Sequence, residues 1–271
     1  MEQQKKIGEI REEFKAAADD ELPSFMERYQ DDARSGVKKL VEQAGKRIQK
    51  LEEEKKRIEQ LKVYEKQYAA LLASSPDFQA SADSHRRNPY ICGIDEVGRG
   101  PLAGPVVAGA VILPPDCQIL YINDSKKLSA KKREELYDII IDQAVAVGIG
   151  MASPQRIDEI NILQATYEAM REAIHKLGVT PDILLNDAVT IPEIAIRQVP
   201  IIKGDEKSIS IGAASIIAKV TRDRLMEEYD AILPEYGFAS NKGYGSAEHI
   251  RALKLHGPSP IHRNSFIKHF V

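Results

Sequence analysis

The sequence contains no tryptophan and only two cysteines, Cys92 and Cys117. Two cysteines are too few for a disulfide framework or a cysteine zinc site, so we interpret both as reduced packing residues. The N-terminus lacks the apolar core of a signal peptide, and no apolar run is long enough to cross a bilayer. We therefore expect a cytoplasmic protein that does not bind membranes.

The sequence also lacks an excess of positive charge. It carries 38 lysines and arginines against 41 acids, and its formal net charge is −3. Any binding of nucleic acid would therefore depend on local basic patches rather than on the overall charge. The length of 271 residues is sufficient for one large domain or two smaller ones.

Residues 1–86 differ in composition from the rest of the chain. They are rich in Glu, Lys, Gln and Ala, and Pro23 and Pro76 are their only prolines, which is typical of helices. We predict a charged helical extension that ends in a small, polar linker, followed by a catalytic domain over residues 87–271 with a basic C-terminal segment. An apolar stripe with alternating steps of three and four residues predicts one helix of about 30 residues. Its members are Val37, Val41, Ala44, Ile48, Leu51 and Ile58.

The sequence leaves the partner of this stripe open. It is compatible with a short coiled coil, with docking on another molecule, or with a helical hairpin. The hairpin would use a second apolar set, Tyr64, Tyr68, Leu71 and Leu72.

Strands and helices alternate from Tyr90 onward, which predicts an α/β domain. The predicted strands cover residues 90–94, 106–113, 145–151, 181–185 and 196–202. The predicted helices cover residues 130–144, 153–178 and 209–229. We expect residues 236–271 to be irregular, basic and rich in histidine.

Acidic side chains follow three of the predicted strands. Asp95 and Glu96 come at the start of a glycine-rich turn, and Asp187 and Asp205 follow later strands. In an open α/β sheet, ligands bind at the carboxyl ends of the strands. Oxygen donors without histidine or cysteine suit Mg²⁺ or Mn²⁺ rather than zinc. Two such ions could promote the in-line attack of water on a phosphodiester.

Several polar groups could contact a substrate near these acids. The turn Gly98-Arg99-Gly100 allows close approach of the backbone, and Tyr244 lies between two glycines, where its ring could stack on a sugar or base. The helix after Asp205 carries cations that could receive phosphates or form a solvated face. We expect surface or phosphate contact, rather than metal ligation, for the C-terminal histidines. The polar residues on this helix are Ser215, Lys219 and Arg222. The histidines are His249, His256, His262 and His269.

Six motifs occur in a fixed order: GIDEVGRGPLAGPVVAGAVIL, DSKKLS, LLNDA, KGDEKSISIGAASIIAKVTRD, NKGYGS and HRNSF. Together they closely resemble bacterial ribonuclease HII, from about residue 90 to the C-terminus. The resemblance implies a ribonuclease H-like fold, with a mixed sheet flanked by helices. It also implies hydrolysis of the RNA strand of RNA–DNA hybrids, and cleavage 5′ to single ribonucleotides in duplex DNA that leaves 3′-hydroxyl and 5′-phosphate ends.

The resemblance also assigns roles to residues. The metal-binding acids of the family fall on Asp95, Glu96, Asp187 and Asp205. Adjacent strand residues point to opposite faces, so Asp95 and Glu96 cannot play equivalent roles. The 2′-hydroxyl sensor falls on Gly98, Arg99 and Gly100, and the stacking tyrosine on Tyr244. Phosphate contacts fall on Lys126, Lys127, Ser215 and Lys219. The sequence departs from many relatives at Ala188 and Ser246, and neither change removes the acid or the ring.

Three other functions remain open at this stage. One is a phosphodiesterase or recombinase of the same fold, which the GRG and GYG turns together disfavour. Ribonuclease HIII shares the fold and typically has a different residue where Arg99 stands, so Arg99 favours the HII type. A non-catalytic module that binds hybrids would gain nothing from carboxylates that repel phosphates. The resemblance does not cover the helical extension, which we expect to add to duplex binding or to steady the domain.

Overall fold

The computed structural model describes residues 5–76, 78 and 88–270. The chain forms two compact units, Met1–Glu59 and Gln60–Val271. The second unit therefore begins within the predicted extension, well before residue 86. In the described part of the chain, no helix is long and apolar enough to cross a membrane.

The first unit is helical. Helices α1 (Ile7–Ala16) and α2 (Leu22–Tyr29) precede α3, which spans Ser35–Leu61 and confirms the predicted long helix. The N-terminal part of the α3 stripe packs against α1 and α2. Their shared core comprises Ile10, Leu22, Phe25, Tyr29, Val37, Leu40 and Ala44.

The second unit opens with helix α4 (Val63–Ala73). The predicted hairpin partners Tyr64, Tyr68 and Leu72 pack on the central sheet. The apolar sheet surface is a larger target for these rings than one helix stripe. The buried residues beneath them are Ile91, Ile183, Leu185, Ile201 and Ile211.

Five strands form one mixed sheet, as predicted. They are β1 (Ile91–Val97), β2 (Val106–Ile112), β3 (Ala146–Ala152), β4 (Ile183–Asp187) and β5 (Gln198–Ile201). The strand order is β3-β2-β1-β4-β5. Strands β1, β2 and β3 pair antiparallel, whereas β4 lies parallel to both β1 and β5.

Helices cover both faces of the sheet. On one face, α6 (Pro154–His175) packs on the largest apolar core. On the other face lies α7 (Ile209–Ile232), whose backbone approaches so closely that a Cβ on Gly109 would lie 2.5 Å from the Ala214 carbonyl oxygen. Helix α5 (Ala130–Gln143) connects β2 to β3.

Two expectations from the sequence were wrong. Strand β1 continues to Val97, because its pairing with β2 extends to Val107, so Asp95 and Glu96 lie within the strand. Residues 236–271 are not irregular, since short helices separated by turns at Gly243 and Gly257 follow one another there. These helices are α8 (Phe238–Asn241), α9 (Ala247–His256) and α10 (Asn264–Ile267).

Candidate active site

The four acids predicted from the sequence meet at one edge of the sheet. Ile94 pairs with Asn186 in the parallel β1–β4 register, so Asp95 and Asp187 occupy adjacent strands at the next position. The turn that carries Asp205 follows β5, and the Gly204 amide at its start donates to Asp187 Oδ1 at 2.7 Å. The sheet register and this turn therefore bring Asp95, Asp187 and Asp205 together.

Asp95 and Glu96 approach this edge from opposite faces of β1. Asp95 faces α7 and lies 6% exposed. Burial raises its pKa well above the ordinary value, and the Glu96 and Asp187 carboxylates raise it further, while a hydrogen bond with Ser215 acts in the opposite direction. Burial also raises the pKa of Glu96, where Arg99 lowers it and Asp187 raises it. Both carboxyl groups therefore interact with Asp187, although the Asp95 and Glu96 side chains leave β1 on opposite faces.

Asp205 has the same electrostatic character. Burial, followed by the Asp187 and Asp124 carboxylates, raises its pKa to about 6. Asp124 caps the turn Ser125–Lys127, where its side chain accepts from the Lys126 amide at 2.9 Å. The cluster thus contains a fifth acid, which the sequence analysis did not single out.

Lys126 supplies a positive charge to this acidic edge. Burial lowers the pKa of its ammonium group, but Asp124, Asp95 and Asp205 outweigh burial and raise it above the ordinary value. A lysine that interacts with acids of both the turn and the sheet partly offsets their repulsion. The predicted contact of Lys126 with a phosphate stays a prediction.

The composition of this cluster suits a hard divalent cation. Its donors are carboxylate oxygens. Burial and the negative charge of neighbouring carboxylates raise the pKa values of Asp95, Glu96 and Asp205, and a cation would neutralise that charge. Among the described residues, no three His, Cys, Asp or Glu side chains already form a closed ligand group. Mg²⁺ sites keep several waters and use few carboxylates together with substrate phosphates, so the open arrangement fits such an ion.

Three predicted phosphate contacts differ in their availability. Lys127 Nζ lies 2.8 Å from Glu206 Oε1 at the surface. Ser215 is buried, and its hydroxyl contacts that of Ser125 at 2.9 Å. Lys219 forms a partly buried ion pair with Asp223 at 2.7 Å. Only the Lys127 pair is well exposed, so a phosphate could displace Glu206 far more readily than Asp223.

The turn Gly98-Arg99-Gly100 is held by a buried arginine from the last segment of the chain. Arg263 is fully buried and donates to the carbonyl oxygens of Gly98 (2.5 Å), Arg99 (2.9 Å) and Gly104 (2.8 and 2.9 Å). Its planar guanidinium can satisfy several fixed acceptors at once. The turn therefore has a defined shape.

Arg222 holds the other side of the same loop. The sequence suggested a phosphate contact or a solvated position for it, and this was wrong, because Arg222 is fully buried. A Cβ on Gly98, whose φ is +91°, would lie 2.3 Å from Arg222 Nε. The guanidinium donates to the carbonyls of Ala103 (3.0 Å), Pro105 (2.9 Å) and Lys242 (2.8 Å).

Tyr244 lies beside the glycine turn, at the surface. Its side chain is 44% exposed, and its Cε1 atom would lie 3.9 Å from a Cβ on Gly100. The preceding Gly243 accepts a hydrogen bond from the Leu102 amide at 2.8 Å and adopts a φ of +84°. The two motifs thus form one surface, with the ring free to meet a ligand.

A histidine pair lies beneath the Tyr244 loop. The expectation of surface histidines was wrong for His249 and His262, which are 0% and 2% exposed. His249 Nδ1 lies 2.8 Å from the Tyr244 carbonyl oxygen, and the two Nε2 atoms lie 2.9 Å apart. The Ser259 amide donates to His262 Nδ1 at 2.9 Å. Their rings pack on Tyr236 and Phe238, which accounts for their burial.

The sequence analysis therefore missed Asp124, the role of Arg263 and the histidine pair. Asp124 opens the DSKKLS motif and both His262 and Arg263 belong to HRNSF, so the signal was present. It was used for the resemblance only, because single residues of these types usually lie at the surface.

Comparisons with known proteins agree with this arrangement. The family model described as Ribonuclease HII matches residues 92–269, and that described as Ribonuclease HII N-terminal domain matches residues 6–69. The Ribonuclease HII of Lachnoclostridium phytofermentans is 62% identical, over 98% of this chain and 98% of its own length. The extension is therefore part of what the two proteins share.

Solved structures show the same fold. The ribonuclease HII in the PCNA complex from Archaeoglobus fulgidus superposes with a TM-score of 0.55 and 30% identity, over 66% of this chain and 94% of that one. Bst-RNase HIII in complex with Mn²⁺ gives a TM-score of 0.51 at 17% identity, over 62% and 63% of the two chains, which supports the fold alone. With both family models matched and a full-length relative at 62% identity, the chain belongs to the ribonuclease HII family.

Proposed function

We propose that this ribonuclease H endonuclease cuts on the 5′ side of single ribonucleotides in duplex DNA, as well as within the RNA strand of RNA–DNA hybrids, and that it requires Mg²⁺ or Mn²⁺. Its family acts on RNA–DNA hybrids. The finer specificity and the ion are inferences from the residues of this chain. The alternative of a hybrid-specific, HIII-like enzyme is an outcome of the test below.

Asp95, Glu96, Asp187 and Asp205 would hold the ions. The observation that carries the proposal is that these carboxyls converge beside Lys126, where burial and the Asp187 carboxylate raise the pKa values of Asp95, Glu96 and Asp205. Bound divalent ions would supply the charge that promotes attack of water on the phosphodiester.

The surface formed by Gly98, Arg99, Gly100 and Tyr244 would read the substrate. The 2′-hydroxyl distinguishes RNA from DNA, and a turn with a fixed shape can offer it backbone groups. The exposed Tyr244 ring would stack on the nucleotide at the RNA–DNA junction. Cleavage of the P–O3′ bond by water would then leave a 3′-hydroxyl and a 5′-phosphate.

The test is cleavage of a labelled DNA duplex that contains one ribonucleotide, in Mg²⁺ or Mn²⁺, beside an all-DNA duplex and a continuous hybrid. We expect a cut 5′ to the ribonucleotide, no cut in the all-DNA duplex, and no cut of any substrate in EDTA. Cleavage of the continuous hybrid alone would favour the HIII-like specificity. Binding without cleavage in either ion would favour a non-catalytic module for this chain.

A further inference from the structure

Glu65 on helix α4 contacts the start of helix α7, far from it in sequence. Its Oε1 atom accepts hydrogen bonds from the Ser208 hydroxyl at 2.5 Å, the Ser210 hydroxyl at 2.6 Å and the Ser210 amide at 3.1 Å. Ser208 is the N-cap of α7, where its hydroxyl accepts from the Ile211 amide at 3.2 Å. A carboxylate at this position satisfies a free amide and interacts favourably with the helix dipole.

Apolar packing fixes the position of α4 on the sheet. Tyr64 and Tyr68, on either side of Glu65 in sequence, pack on the cluster that contains Ile183 and Ile211. Ile211 is itself in the first turn of α7. Rings on α4 and a residue at the start of α7 therefore share one buried cluster, so the carboxylate is presented from a rigid support.

The contact lies one turn from a proposed metal ligand. The Ser208 amide donates to the Gly204 carbonyl at 2.8 Å, and the Gly204 amide donates to Asp187 Oδ1 at 2.7 Å. Asp205 lies between these two bonds. Its turn is thus tied at one end to Asp187 and at the other end to the serine that Glu65 holds.

We propose that Glu65 is a positioning residue for Asp205, and that helix α4 acts through it to set the geometry of the metal-binding edge. This rests on the proposed role of Asp205 as a metal ligand. Glu65 belongs to the extension, because the family model for the N-terminal domain covers residues 6–69. The extension would then have a function in this enzyme that needs no contact with nucleic acid.

The variants needed are Glu65→Ala, Glu65→Gln and Gln67→Ala, all in the full chain. Glu65→Ala removes the acceptor, Glu65→Gln keeps an acceptor oxygen, and Gln67 is exposed on the same helix. Each protein is titrated with Mn²⁺ alone by calorimetry, and its KM and kcat for a hybrid are measured at saturating metal. Thermal unfolding in EDTA reports stability separately.

We expect Glu65→Ala to weaken Mn²⁺ binding by about tenfold, the scale of the loss seen when a residue that orients a metal ligand is removed. KM for the hybrid should change by less than about twofold on the same reasoning, because the substrate surface is elsewhere. Glu65→Gln should recover most of the affinity, and Gln67→Ala should behave as wild type. Wild-type Mn²⁺ affinity in a folded Glu65→Ala protein would overturn the proposal.

Two further variants keep the result interpretable. If Glu65→Ala does not fold, the double variant Ser208→Ala/Ser210→Ala removes both hydroxyls that donate to Glu65, and unchanged Mn²⁺ affinity in that protein would again overturn the proposal. Asp205→Asn separates this proposal from the proposed function. If Asp205→Asn loses Mn²⁺ affinity and Glu65→Ala does not, the positioning role of Glu65 is refuted and the metal site is not. If Asp205→Asn keeps its Mn²⁺ affinity, the proposed role of Asp205 in the metal site is refuted.

Discussion

His249 and His262 share one proton between their Nε2 atoms, which lie 2.9 Å apart. The direction of this hydrogen bond is fixed by the outer partners of the pair. The Ser259 amide can only donate, so His262 Nδ1 accepts and its Nε2 carries the proton. The Tyr244 carbonyl can only accept, so His249 Nδ1 carries a proton and its Nε2 accepts. Both rings are therefore neutral, and a further proton would place two donors face to face.

This arrangement predicts a loss of stability in acid. Burial, together with His249, lowers the pKa of His262 to about 4, against about 6.5 in an unfolded chain. Between these values the unfolded chain binds more protons, so the pair's contribution to stability is complete above pH about 6.5 and is lost as pH falls toward 4. The raised pKa of Asp205 makes its contribution to stability fall as pH rises in part of this range. The contribution of the histidine pair must therefore be obtained by subtracting the curve of a histidine variant from that of the wild type.

The measurement is the free energy of unfolding from pH 4 to 7 for wild type, His262→Gln and His269→Gln. The wild-type curve should rise with pH more steeply than that of His262→Gln. His269 is exposed, so His269→Gln should follow the wild type. Parallel curves for all three proteins would contradict the neutral pair.

Asp95→Asn should abolish turnover and leave the fold intact. The change removes the charge of a proposed metal ligand with little change in volume. Because Asp95 is buried beside two other carboxylates, the metal-free variant should be at least as stable as wild type at pH 7. Cleavage rates and denaturant unfolding test both points, with the exposed Asp116→Asn as control. Wild-type rates in Asp95→Asn would rule out the metal assignment.

Tyr244→Ala should reduce cleavage at a single ribonucleotide more than cleavage of a continuous hybrid. Base–aromatic stacking contributes about 1–3 kcal/mol per base, so a loss of about fivefold to a hundredfold is expected at the single ribonucleotide. Tyr121 is similarly exposed, at 41%, and Tyr121→Ala is the control. Equal losses on both substrates would remove the case for junction reading.

Arg263→Lys should destabilise the protein by about 2–4 kcal/mol, since an ammonium cannot replace the buried fork of bonds. It should also weaken discrimination between a ribonucleotide and DNA, because Arg263 holds the Gly98 and Arg99 carbonyls. Denaturant unfolding and the cleavage ratio on the two duplexes measure these effects. The exposed Arg251→Lys should change neither, and a fully stable Arg263→Lys would contradict the role of the fork.

The sequence allowed the strands and the acids near their ends to be predicted, because these are local features, whereas the mixed sheet was implied by the resemblance to ribonuclease HII. It did not allow the burial of Arg222 or Arg263 to be predicted. Their acceptors are carbonyl groups such as that of Gly98, which are distant in sequence and carry no side-chain signal. Lys219 is different, since Asp223 lies four residues later on the same helix. That spacing favours an ion pair and was visible beforehand.

The Arg263 contacts also bear on the order in which the protein matures. Strands β1 and β2 are neighbours in sequence, whereas β1 can pair with β4 only after residue 183 has been synthesised. The glycine turn waits still longer, because its carbonyls meet Arg263 near the end of the chain. Contacts so distant in sequence form late in folding. We therefore expect a nascent chain on the ribosome to form the proposed substrate surface after the sheet edge that carries the four acids.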